Sequence, residues 1–174
     1  MGVIFVAGVH GVGKTTCCQE IANQTGVLHH SASALIKAAR SEAISATSKV
    51  VADVSSNQEL LVTAVLQLLK THPRILLDGH FTLLNANGKI ASIPESIFAR
   101  LRLDGIVLYR DDPIEIQERL TTRDGASPHE VALHQSAEEA QANRVAELMN
   151  LDLHVLPAFD IQKLHEIVSR IWNL

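Results

Sequence analysis

Cysteine is nearly absent: the 174 residues contain two, and they are adjacent, Cys17 and Cys18. Consecutive side chains on a helix diverge, so no structural disulfide is expected and a reducing cytoplasm fits. The pair reads as small apolar side chains packing a helix onto a sheet. Long apolar runs are also missing. Nothing approaches the roughly 20 residues of a membrane span, and the opening run Val3 to Ala7 is too short for the core of a secretory signal. Neither membrane insertion nor export is expected. Dense basic tracts are lacking too: Lys and Arg number 15 against 19 Asp and Glu, a formal net charge of −4. Without a basic footprint to neutralise a phosphate backbone, direct nucleic-acid binding is not expected. His10 and the His29-His30 pair lack the cysteine, histidine or carboxylate spacing of a zinc site. No Asn-Lys-x-Asp or Thr-Lys-x-Asp segment is present to read guanine.

What remains is a globular composition, 47% hydrophobic and 20% charged, in a chain ample for one core and short for two. One domain over 1–174 is the economical reading. Strand and helix signals alternate along almost the whole length, which predicts an α/β protein with helices on both faces of a parallel sheet. Val3 to Ala7 suits a central strand buried on both faces. A first helix follows and stops at Thr25, with Gly26 suited to the left-handed position after it. Val27 to His30 is a short strand and Ser31 to Ala43 a helix. Ser56-Asn57-Gln58-Glu59 has capping-box spacing ahead of the apolar helix Leu60 to Leu69. Such a helix is buried widely, beneath the sheet or against a second subunit, so a homodimer is one option. Arg74 to Asp78 is a third strand, and Asn87-Gly88 places a hairpin or ordered loop within Phe81 to Ile93. Pro94 opens a short helix to Leu101, and Gly105 to Tyr109 is a fourth strand. Asp112-Pro113 starts a helix through Arg123, and Ser127-Pro128-His129-Glu130 caps a long one to about Asn150. Leu153 to Leu156 completes five strands, and Asp160 caps a final amphipathic helix.

The chemistry is concentrated near the start. Gly8-Val9-His10-Gly11-Val12-Gly13-Lys14-Thr15 fits the phosphate-cradling pattern G-x-x-x-x-G-K-[ST] between a strand and a helix. Glycines let successive backbone N–H groups turn inward toward phosphate oxygens, and the helix N-terminus adds its positive end. Gly8, His10, Gly11, Val12, Gly13, Lys14, Thr15 and Thr16 are therefore the expected nucleotide-binding residues. Lys14 is assigned to the β and γ phosphates of ATP. Thr15 is the expected protein ligand of Mg²⁺, with Asp78, at the end of its strand, holding a water of the metal's shell.

Transfer of a γ-phosphoryl group needs cations around the donor and acceptor. Arg119 and Arg123, four apart on one helix beside Asp124 to Ser127, form either a lid over the phosphates, spanning 119–130, or a solvated basic face. Arg144 either returns toward the same site from the long helix or is a solvated charge on its surface. The segment 31–71 is the expected acceptor wall, whose cations Lys37 and Arg40 either bind an acceptor phosphate or are plain helix-surface charges. His80 lies two residues beyond Asp78. It either touches the acceptor or a metal-bound water, or is satisfied by backbone at a strand end.

Taken together, the loop, Leu76-Leu77-Asp78-Gly79-His80, Arg119, Arg123-Asp124, His134-Gln135 and Asn143-Arg144 resemble the archaeal-type adenylate kinases and their relatives among small P-loop nucleoside monophosphate kinases. The resemblance implies a three-layer P-loop NTPase fold, a five-stranded parallel sheet of order 2-3-1-4-5 with a short lid, and transfer from MgATP to a nucleoside monophosphate. The pattern also departs from that family. Lys37 stands where an Arg is common, and no Arg follows Asp78-Gly79 at the family's usual spacing. Two other readings stay open. A kinase for a small hydroxylated metabolite, like those for shikimate or gluconate, needs a base to take the hydroxyl proton, and only Asp53 or His80 is on hand. A nucleotide-hydrolysing switch or assembly factor would instead use the apolar helix Leu60 to Leu69 for docking.

Overall fold

Strand β1 (Val3–Ala7) is buried along its whole length and lies between two parallel neighbours, β3 (Ile75–Asp78) and β6 (Leu103–Arg110). Side chains alternate across a strand, so each of the three divides its apolar residues between two cores. Val3, Phe5, Ala7, Ile75, Leu77, Ile106 and Leu108 face one way. Ile4, Val6, Leu76, Val107 and Tyr109 face the other. Near-continuous hydrophobic strands of this kind are what a parallel sheet covered on both sides requires. Strands β2 (Leu28–Ser31) and β7 (Leu153–Pro157) extend the sheet to the order β2-β3-β1-β6-β7. Leaving out the hairpin strands β4 (Thr82–Leu84) and β5 (Ile90–Ser92), which form a sheet of their own, this is the expected order 2-3-1-4-5. The computed structural model describes residues 2–46, 54–85, 87–121 and 127–174.

Helices α1 (Lys14–Thr25) and α7 (Ile161–Trp172) cover one face, with Cys17, Cys18 and Ile21 meeting Leu164, Ile167 and Val168. Both cysteines are free and buried, and burial pushes both thiols upward in pKa, which fits packing rather than reactivity. The other face is covered by α3 (Val54–Leu68), α4 (Glu95–Arg100) and α6 (Pro128–Met149). Here Phe5, Phe81 and Phe98 form a three-ring cluster with centroids 4.8–5.4 Å apart, each such pair adding about 1 kcal/mol beyond its buried area. No helix among the described residues is long and apolar enough to cross a membrane.

Several local expectations hold. Gly26 ends α1 in the left-handed region with φ +72°. Asp112 caps α5 (Pro113–Leu120), and Ser127 with Glu130 forms the reciprocal capping box of α6. Others are corrected. The strand expected over Val27 to His30 runs one residue later, and α2 (Ala32–Ala46) continues past Ala43. Helix α3 already begins at Val54, so Ser56 lies inside it and is not its cap. Its apolar face, Leu61, Val62 and Val65, packs in the chain's own core. The hairpin is not closed by a two-residue Asn-Gly turn: Asn85 N bonds Lys89 O, while Asn85 Oδ1 accepts from Asn87 N and Lys89 N. Helix α5 stops at Leu120, and Arg123, Asp124 and Asp53 lie outside the described residues.

Helix α6 carries a stripe of buried polar side chains at three-residue spacing: Gln135, Glu138 and Gln141 are 4%, 1% and 3% exposed. Each is bonded to a different loop at the carboxyl edge of the sheet. Gln135 exchanges two hydrogen bonds with the Asp111 backbone, and Gln141 donates to Ile93 O at 2.9 Å. The Glu138 carboxylate accepts from Phe81 N, Thr82 N and Thr82 Oγ1 within 3.1 Å. Burial pushes the Glu138 carboxyl up in pKa, but His80 and these N–H donors outweigh it and hold it below the ordinary value. Replacing Glu138 with Ala leaves two buried N–H groups unpaired. The expected loss is about 3 kcal/mol of stability by urea denaturation, and a loss below about 0.5 kcal/mol would show that the hairpin does not depend on it.

Candidate functional site

The loop between β1 and α1 is shaped by its glycines. Gly8, Gly11 and Gly13 have φ of +141°, +80° and +95°, a region that side chains with a Cβ adopt only under strain. Space is equally restrictive at Gly8, where a Cβ would sit 2.6 Å from Tyr109 O. The left-handed Gly13 stands at the N-cap of α1 with no side-chain cap, and the first turn contains no acidic residue. The first N–H groups of α1 therefore have neither a capping side chain nor a carboxylate to compete with an anion, which is the electrostatics of a phosphate site. Val12 is buried and contributes backbone, whereas His10 is exposed.

Lys14 is 6% exposed and donates from Nζ to Gly8 O and Val9 O at 2.7 and 2.9 Å. Burial lowers its pKa to about 8, against the pull of Glu138 and Asp78. Thr15 Oγ1 donates to Asp78 Oδ1 at 3.3 Å. The other Asp78 oxygen is 2.7 Å from His29 Nε2. A hydroxyl and a carboxylate adjoining an anion cradle suit a small hard cation that keeps phosphate oxygens and waters in its shell, so Thr15 and Asp78 fit Mg²⁺.

A cleft of about 790 Å³ runs from this loop to α2 and α3. It brings together Lys14, Thr15, Thr16, Asp78 and His80 with Lys37 and Arg40 of α2. His80 lies against His10 with ring centroids 4.3 Å apart and the planes tilted by 45°, and its Nδ1 lies 3.6 Å from Glu138 Oε1. Burial drives the His80 pKa down, so the ring is neutral near pH 7. Arg119 turns back onto the phosphate loop. It donates to Gly11 O at 2.9 Å, pairs with Asp111, and lies 5.2 Å from the centroid of the Phe159 ring. Arg144 is not brought to the cleft: it is 66% exposed and faces Glu95 at 3.8 Å.

Six contributors carry no local motif that marks them as site residues. His29, which lacks the spacing of a zinc ligand, meets Asp78 of the neighbouring strand, and Asp111 and Glu138 likewise meet their partners through tertiary contacts. Phe159, 45% exposed with φ +60°, lies against Gly13, where a Cβ would be 2.6 Å from its ring. The last two are Asn57 and Gln58 on α3, which stand in the middle of a stretch with capping-box spacing. Polar residues one turn ahead of the apolar positions of α3 were the signal available for them.

A family model described as an AAA domain matches residues 7–135. The adenylate kinase of Methanopyrus kandleri is 26% identical over 182 residues, covering 97% of this chain and 95% of that protein. Among solved structures, a shikimate kinase from Bacteroides thetaiotaomicron superposes with a TM-score of 0.57 at 14% identity, covering 99% of both chains. An unliganded sugar kinase from Janibacter sp. HTCC2649 gives 0.56 at 16%, covering 99% of this chain and 95% of that one. A gluconokinase from Sinorhizobium meliloti 1021 gives 0.52 at 15%, with 99% and 91% covered.

The depressed Lys14 pKa of about 8 has a measurable consequence. Phosphate oxygens favour the ammonium, so between pH 8 and 10 binding of a triphosphate draws in a proton that the free protein lacks, and affinity falls as pH rises through this range. Calorimetry at pH 9 in buffers of different ionisation enthalpy is expected to show uptake approaching about one proton per ATP. Lys14→Met should abolish it, and equal uptake in that variant would assign the proton elsewhere.

Proposed function

This chain belongs to the AAA domain family, and from that premise we propose that it is a P-loop kinase moving the γ-phosphoryl group of MgATP to a nucleoside monophosphate. The observation that carries this reading is one continuous cleft joining the phosphate loop to the α2 cations Lys37 and Arg40. Donor and acceptor phosphates then share a single enclosure, with cations on both sides of the line of transfer. The Methanopyrus adenylate kinase, similar over nearly the whole of both chains, supports the choice of acceptor.

In this reading the loop N–H groups and Lys14 bind the β and γ phosphates, Lys14 exchanging the carbonyls of Gly8 and Val9 for phosphate oxygens. Thr15 and Asp78 hold Mg²⁺, which when bound neutralises charge on the phosphates. Arg119, joined by Arg123, supplies charge to the transferring group, and the apolar walls exclude water. No general base is needed, because an acceptor phosphate is already ionised at neutral pH. Lys37 and Arg40 fix that phosphate.

One observation favours a hydroxylated acceptor: His80, held neutral beside Glu138, faces the same cleft and suits proton removal from a hydroxyl. Against it, the Ser31-Ala32-Ser33 wall carries no carboxylate. Labelled ATP offered to a panel of monophosphates and polyols separates the two. Lys14→Ala is expected to reduce transfer by at least about a thousandfold with the circular dichroism spectrum unchanged. Full activity in that variant would refute the assignment. Arg119→Ala should lower kcat by roughly a hundredfold or more while KM for the acceptor changes little, and a change confined to KM would make Arg119 a binding residue only.

A further inference from the structure

The α3 wall of the cleft holds two carbonyl oxygens that bond to nothing. Gln58 is 4% exposed, yet its Oε1 has no hydrogen-bond partner, and neither does Asn57 Oδ1, also buried. A buried acceptor without a donor costs free energy, so such groups persist where a ligand completes them. Both residues line the same cleft as the phosphate loop, alongside Lys37 and Arg40, and Arg40 Nε is itself an unpaired buried donor. The surfaces around them are apolar: Leu61, Ile97 and Phe98 are at most 7% exposed.

Resting on the monophosphate kinase reading, we infer that Gln58 and Asn57 read the edge of the acceptor's base, and that this base carries an exocyclic amine. The chemistry follows from the two oxygens. An amine brings two N–H donors on one nitrogen, and a flat ring fills an apolar slot that would leave the hydroxyls of a polyol unpaired. A base whose corresponding edge carries a keto group offers one ring N–H in place of the two N–H groups of an amine, so one of the two carbonyl oxygens stays unsatisfied and the keto oxygen faces it. Sites built around a hydrogen bond discriminate strongly against analogues that lack it.

The test uses the whole protein with MgATP and four acceptors: adenylate and cytidylate against their keto counterparts inosinate and uridylate. KM for the amine-bearing pair is expected at least about tenfold below that of the keto pair. Gln58→Leu should remove the difference with KM for ATP unchanged, and Asn57→Ala should narrow it. The wild-type comparison stands whether or not Gln58→Leu folds. Keto acceptors within roughly threefold of the amine pair, or a Gln58→Leu variant that keeps the full gap, would overturn the inference while leaving the kinase reading intact. Transfer to none of the four, with a polyol phosphorylated in their place, would overturn the monophosphate reading and this inference with it.

Discussion

Three polar side chains on one face of α6 hold the working edge of the molecule together. Gln135, Glu138 and Gln141 are each buried, and each is bonded to backbone of a different loop: after β6, after β3, and before α4. Parallel strands all deliver their loops to the same edge, and loops carry unpaired backbone groups that must be satisfied once covered. A single helix that satisfies three of them converts separate connections into one surface. Glu138 has a second effect. Its negative charge, close to Lys14 and His80, partly compensates the burial of the lysine ammonium.

The metal-side geometry has a different origin, the register of the sheet. Val6 of β1 lies opposite Asp78 of β3, and Ser31 of β2 lies opposite Asp78 on the other side. The carboxylate therefore emerges one residue short of the phosphate loop, within reach of Thr15, and His29 comes to its second oxygen from the outer strand. In a chain with net charge −4, Lys14, Lys37 and Arg40 line one concavity, and Arg119 bonds Gly11 of its lining. Clefts with low-dielectric walls focus such a field, so local charge rather than overall charge governs the attraction of an anionic ligand.

What was legible in the sequence was what lies close together along it. The phosphate loop, Gly26 after α1, the Ser127-Glu130 capping box and the five strands of the sheet are each specified by a few neighbouring residues. Asp78 was legible because it ends an apolar strand. The misreadings share a cause too. Ser56 to Glu59 has the spacing of a cap, but the helix had already begun, and that spacing concealed two cleft residues, Asn57 and Gln58. Helical periodicity places Arg144 on a face of α6 without saying which face meets the cleft, and tertiary packing turned it toward Glu95. Glu138 joins backbone 56 and 57 residues away, and no local pattern announces such a contact.

The central position of β1 also governs the order in which the molecule can be assembled. Its partners begin at Ile75 and Leu103, so β1 leaves the ribosome well ahead of both strands it pairs with. Until Ile75 has been made the most apolar segment of the sheet has no neighbour, and its second neighbour, from Leu103, comes only past the midpoint of the 174 residues. Long-range parallel pairing of this kind slows folding and leaves sticky sequence exposed in the interval. Nascent chains of this architecture thus have a built-in need for protection early in synthesis.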